Sequence, residues 1–349
     1  MSASTRFVAL CVLAACAPAY AANVATQNQL GSDNQAIVEQ TGIDNQAEQY
    51  QTGYGNHSRV VQEGAANVAW TYQGGFDGRV EVNQSGDGNM ARVEQTDGMF
   101  AHEATVQQVG MGNQVRIDQW SAFRDIAAIY QEGSANAYAL LQSGSSNTLN
   151  GSSVGTNNQS TVTQFGGGVA TTAQNGDGNT LTLTQDSPWF GALAQISQVG
   201  THNNVDVDQR GSGRYSAGRI TLSQEGERND MQVNTDDADS DLIYTQLGER
   251  NELIVEQDGR DSSLVGTSQG SDNRVEARQE HDSNSLTILQ DGFANEILSY
   301  QAARDNEADI TQVGDTNRVG LTQNSPDWIR SVVDVTQNGS GNIATIMQR

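Results

Sequence analysis

Lysine is absent from this chain: its 18 basic residues are all arginine, set against 42 aspartates and glutamates for a formal net charge of −24. No lysine means no P-loop cation. A chain this acidic, without clustered positive charge, is a poor partner for nucleic acid. Cysteine is nearly absent too. Cys11 and Cys16 both lie near the start, so a chain cut after Ala21 keeps no disulfide and no cysteine-based metal site. Apolar residues are only 36% of the chain, which with this charge ordinarily means disorder. Nor is there a catalytic signature. No serine sits in a G-x-S-x-G elbow, and His57, His102, His202 and His281 share no metal-ligand spacing and read as surface residues. Asp-Gly pairs such as Asp87-Gly88 and Asp177-Gly178 read as turns rather than calcium loops. Neither catalysis nor a cofactor is expected.

The first residues look like an export signal. Arg6 gives the positive start, Phe7 to Ala15 an apolar stretch too short to cross a membrane as a helix, and Ala19-Tyr20-Ala21 a cleavage site. Leu13-Ala14-Ala15-Cys16 also resembles a lipoprotein box, so lipid anchoring through Cys16 stands as the alternative to free secretion.

What rescues order is periodicity. From Gln29 onward the chain repeats Q-x-G-x-x-N-x-φ-x-φ-x, where φ is apolar or small, and then glutamine again. The units carry Gln40, Asn45, Gln51; Gln62, Asn67, Gln73; Gln84, Asn89, Gln95; Gln108, Asn113, Gln119; and Gln131, Asn136, Gln142. They continue through Gln174, Asn179, Gln185; Gln198, Asn203, Gln209; Gln246, Asn251, Gln257; and Gln290, Asn295, Gln301. Gln312, Asn317, Gln323 and Gln337, Asn342, Gln348 complete the series. Ser153, Thr235 and Ser268 stand where glutamine is otherwise the anchor.

Asn, φ, φ and Gln fall on alternate positions, which in a strand is one face; the intervening residues are polar or charged, and helical spacing is missing. The x-G-x-x-N stretch reads as a turn, because glycine and asparagine tolerate positive φ. Its glycines are Gly42, Gly64, Gly86, Gly110, Gly133, Gly155, Gly176, Gly200, Gly226, Gly248, Gly270, Gly292, Gly314 and Gly339.

Numbering the anchors from zero at Gln29, every step from an odd-numbered anchor is eleven residues and contains this turn. All irregular steps start at even-numbered anchors: 95 to 108, 119 to 131, 164 to 174, 185 to 198, 209 to 224 and 323 to 337. Parity of this kind follows if one coil is two strands, so that alternate turns lie on opposite edges, one fixed and one tolerant of insertion. Pro188 and Pro326, with Trp120, Trp189 and Trp328, belong to the tolerant edge. The inward pairs Ala194 with Ile196, Ile220 with Leu222 and Val333 with Val335 keep their place across insertions. Gly110 and Gly248 should therefore resist replacement more than Gly191 in an inserted loop.

These residues resemble the curlin repeat of bacterial curli fibres, Ser-x5-Gln-x-Gly-x-x-Asn-x-Ala-x3-to-4-Gln. Ser240 to Gln246 with Gly248 and Asn251 fits its first part, as do Ser262 to Ser268 more loosely and Ser331 to Gln337. The resemblance implies a secreted subunit, major or nucleator, that polymerises with itself and a companion subunit into extracellular amyloid for adhesion and biofilm matrix. It also implies an outer-membrane curli secretion pore with accessory factors. Two features depart from the family: more repeats, and residues 22–28 alone between the expected signal and Gln29, where the family places a glycine-rich leader.

The expected architecture is all-β: a two-strand-per-coil, amyloid-like β-solenoid of about 14 coils of about 22 residues with uncapped ends. Residues 1–21 are the expected signal peptide, 22–28 a short N-terminal segment and 29–349 the solenoid. The inward glutamines and asparagines are the candidate self-assembly ladder, each amide both donor and acceptor along the axis. Rival readings are a monomeric solenoid adhesin and a polysaccharide-acting β-helix enzyme.

Overall fold

A computed structural model describes residues 22–98, 101–121, 123–144, 146–187, 191–211, 218–236, 239–326 and 329–349. The expected signal peptide with both cysteines, and Pro188, Trp189 and Trp328, lie outside them. The described chain is all-β. Its 29 strands run from β1 (Val24–Ser32) to β29 (Ile343–Gln348), and no helix occurs among the described residues. They wind as a β-solenoid of two parallel sheets, about 14 coils of about 22 residues.

Contacts divide the chain into two compact units, one up to Phe165 and one from Gly166. Each is built the same way. Odd-numbered strands form one parallel sheet and even-numbered strands the other, with strand n bonded to strand n+2. In the first unit Val60 faces Val82, and Val82 faces Val106, across successive coils. In the second, Ala194 pairs with Ile220 and Ile196 with Leu222 although 26 residues separate their anchors, Gln198 and Gln224. The inserted residues leave the ladder without shifting it.

Alternation sets the two faces. In β6 (Arg79–Asp87) Val80, Val82 and Gln84 are buried, whereas Arg79, Glu81 and Asn83 are not. The core column of small and branched side chains (Ala91, Val93, Val115, Ile117 and their counterparts) is one residue deep from each sheet. β1 begins at Val24, so the first strand reaches into the segment preceding Gln29.

The fixed-edge turn explains its own sequence. Gly42 has φ +104°, a conformation that suits glycine, and a Cβ there would lie 2.0 Å from the carbonyl oxygen of Gly64 in the next coil. Glycine is thus required twice over, by backbone conformation and by coil spacing. The second left-handed residue of the turn is not the asparagine expected to take it but the residue before: Asp44, Ala66, Ala135, Arg228, Arg250 and Thr316 all have φ between 53° and 57°. The asparagine itself does not take a positive φ and is buried, which is why its amide can serve the stack.

Candidate functional site

Within the first unit the odd-sheet glutamines Gln29, Gln51, Gln73, Gln95, Gln119, Gln142 and Gln164 form one column. Each Nε2 donates to the next Oε1 over 2.7–3.0 Å. The even sheet repeats this from Gln40 through Gln62, Gln84 and Gln108 to Gln131 at 2.8–2.9 Å. In the second unit the even column runs Gln174, Gln198, Gln224, Gln246 and, past Ser268, Gln290, Gln312, Gln337. The odd column there joins Gln185 to Gln209, then Gln257, Gln279, Gln301, Gln323 and Gln348. The other Nε2 proton fixes which way each amide faces. Gln51 donates it to the Gln35 carbonyl and Gln62 to the Gln46 carbonyl, tying one sheet to the other across the edge.

The fixed-edge asparagines run in the opposite sense. Asn45, Asn67, Asn89, Asn113, Asn136 and Asn158 each donate backbone N–H and Nδ2 to the Oδ1 of the previous coil's asparagine at 3.0–3.2 Å. The second unit continues the pattern from Asn179 through Asn203, Asn229, Asn251, Asn273, Asn295 and Asn317 to Asn342. Most of these Nδ2 groups also reach a turn-glycine carbonyl in the next coil, as from Asn67 to Gly86 at 2.7 Å. Glutamine donors therefore point towards the C-terminal coils and asparagine acceptors face the same way. Nearly all these side chains are fully buried, so every satisfied amide avoids a penalty of roughly 1–3 kcal/mol.

The irregular anchors interrupt the columns in two different ways. At Ser268 the hydroxyl of Tyr244 in the previous coil fills the space at 2.6 Å, and Ser268 passes a hydrogen bond to Gln290. Gly266 makes the room: a Cβ there would lie 2.3 Å from the Tyr244 ring. Burial pushes the Tyr244 hydroxyl well above its ordinary range. In the first unit Ser153 is also buried near a tyrosine and a glycine, but there Tyr138 comes from the facing sheet, and a Gly151 Cβ would meet its hydroxyl at 2.5 Å. Thr235 has no such help. Its Oγ1 and the Oε1 of Gln257 in the next coil are both buried without a hydrogen-bond partner.

A further column on the variable edge escaped the sequence reading. Six residues before each even-sheet anchor stand Asn34, Asn56, Gly78, His102, Asp125 and Asn147 in the first unit. Asn56 N–H donates to Asn34 Oδ1 and Gly78 N–H to Asn56 Oδ1, both at 3.0 Å. The second unit has Ser240, Ser262, Asn284 and Asn306 there. The signal was the constant six-residue offset, the Ser-x5-Gln of the repeat. One expectation fails here: His102 is not a surface residue but 2% exposed.

Outside, ion pairs step from coil to coil: Arg250 grips Asp272 through two nitrogens at 2.7 and 2.8 Å, holding that carboxyl below the usual range. Arg92 lies over the Trp70 ring at 4.5 Å, and Trp70 and Tyr50 both stack on Tyr72.

Residues 282–314 match the family described as the curlin associated repeat. The chain carries that repeat. The matched stretch holds Gln290, Gly292, Asn295, Gln301 and Gln312, the same columns that the other coils continue. Curlin-repeat proteins are structural rather than enzymatic. No curated protein matches the chain.

Proposed function

We propose that this protein is a secreted structural subunit that assembles with copies of itself into extracellular, curli-like amyloid fibres serving adhesion and biofilm matrix. One observation carries the reading: the amide columns have a uniform direction within each unit. An edge facing the C-terminus offers glutamine donors and asparagine acceptors, and an edge facing the N-terminus offers the complement, so one copy can continue another. Among the described residues β1 and β2 (Gln35–Ile43) pair on one side only, as do β28 (Val332–Asn338) and β29. Unpaired strand edges are templates for a further chain. The export-signal pattern in residues 1–21 supports secretion, with the Cys16 lipid anchor as its alternative. A nucleating or companion curlin subunit and an outer-membrane pore with accessory factors are the partners this reading proposes.

The test is assembly of the purified mature chain. Thioflavin-binding fibres with a cross-β reflection near ~4.8 Å, seeded by their own fragments, are the expected result. A lasting soluble monomer that ignores seeds would favour the monomeric adhesin instead, and release of reducing ends from a polysaccharide would favour the enzyme.

A further inference from the structure

The odd-sheet column of the second unit breaks at Thr235, with Gln209 and Gln257 one coil to either side. Thr235 Oγ1 and Gln257 Oε1 belong to side chains 1% exposed, and neither atom has a hydrogen-bond partner. The upstream amide is provided for, since Gln209 Nε2 donates to the Gly218 carbonyl at 3.0 Å. Gln257 keeps its oxygen turned towards Thr235, because its Nε2 donates onward to Gln279 at 2.8 Å. Nor do the strands close on the break. β17 (Asn204–Arg210), β19 (Asp230–Asp236) and β21 (Glu252–Asp258) stay in register through it, so Thr235 and Gln257 remain one coil step of ~4.8 Å apart. Threonine is two heavy atoms smaller than the glutamine of the other coils, which frees roughly the 30 Å³ that one water occupies.

The regular coils show what the missing amide does. A glutamine Nε2 donates one proton to the Oε1 of the next coil and the other to a main-chain carbonyl 16 residues back. Gln51 does so to Gln73 and Gln35, and Gln279 to Gln301 and Ser263. Counted the same way from Thr235, the two acceptors are Gln257 Oε1 and the carbonyl of Arg219, the first residue of β18 (Arg219–Glu227). We propose that a single buried water binds in place of the amide nitrogen: it donates to Gln257 Oε1 and to Arg219 O, and accepts from the Thr235 hydroxyl. Water carries two donors on one heavy atom, as the amide nitrogen does, and its lone pairs let the threonine hydroxyl donate as well. Three partners are the usual complement of an internal water. The donor sense of the column, from each coil to the next, passes through the site unchanged. Ser268 needs no such ligand, because the Tyr244 hydroxyl already fills its place.

The site lies within one chain and holds whether or not copies assemble. Magnetisation transfer from water in the isotope-labelled chain tests it, by solution NMR of the monomer or solid-state NMR of fibres. The Gln257 side-chain amide should show transfer from a long-lived water. The Gln301 amide, buried within an unbroken run of the same column, should not. Thr235→Val removes the hydroxyl, whose exchanging proton also relays water signal, and leaves both acceptors; the Gln257 signal should remain. Thr235→Gln fills the place with an amide and should abolish it. Absence of the signal in the natural chain, an equal signal at Gln301, its loss in T235V or its persistence in T235Q would each overturn the proposal. Thr235→Ala, which only enlarges the space, stands in should T235V not fold.

Discussion

The two edges of each coil solve one problem with different tolerance. At the fixed edge a glycine, a left-handed residue and an inward asparagine recur without a change of length, and the asparagine column is unbroken within each unit. At the variable edge the same inward place is taken by Asn56, Gly78, His102, Asp125 or Ser240, and insertions precede it. Both edges satisfy their turn N–H groups, but the variable edge does so through whichever acceptor is at hand. The lesson is that register in this solenoid is held by one edge, which frees the other to vary.

Breaking that contrast should be easiest at the turn glycines. Gly110→Val or Gly248→Val drives a side chain into the carbonyl of Gly133 or Gly270, 2.0–2.1 Å from the first atom added, at positive φ. A loss above ~4 kcal/mol is expected, seen as failure to fold or stack in circular dichroism, because overlap and strain act together. Gly320→Ala, with nothing near its Cβ, should change the denaturant midpoint little. Next comes the column itself. Asn89→Ala leaves several buried groups unmet and should cost on the order of 3 kcal/mol. Ser240→Ala on the variable edge removes one hydrogen bond, to Gly259 O, and should cost about 1 kcal/mol. Similar costs at both sites in urea titration would contradict the division of labour.

A smaller gain is expected from Thr235→Gln. It returns a donor to the Gln257 Oε1 and should raise stability by about 1 kcal/mol; a loss would mean that the space has closed around threonine. Smallest is an acid effect on the outer face. Burial, then the neighbouring Asp208 and Asp230, push the Asp206 carboxyl above its usual range. The folded state holds that proton more tightly than the unfolded chain, so the contribution is present below about pH 4 and is lost as pH rises through the folded value. Asp206→Asn should therefore raise the midpoint at pH 7 and leave it unchanged at pH 3.

Much of this architecture is legible in residue spacing alone. The eleven-residue step with its parity gave two strands per coil, and alternation gave the inward faces. The rest was hidden for physical reasons. The left-handed place before asparagine accepts Ala66, Arg228 or Thr316, because a side chain there points to solvent, and so it leaves no compositional trace. The Tyr244–Gly266–Ser268 exchange spans two coils and looks like three unrelated substitutions until their volumes are seen to sum. His102 read as a surface residue since its burial depends on an offset from Gln108 rather than on its neighbours. Gly191, expected to be tolerant, has an ordinary φ, yet its Cβ would come within 2.5 Å of the Gly167 carbonyl.

The opposed sense of the glutamine and asparagine columns has an electrical consequence. An α-helix aligns its peptide dipoles and accumulates partial charge at its ends. Here the amide dipoles of neighbouring columns point in contrary directions along the axis. Each coil sets the moment of its fixed-edge asparagine against those of its two glutamines, so the moments cancel in part and end charge grows more slowly than in a stack of one sense.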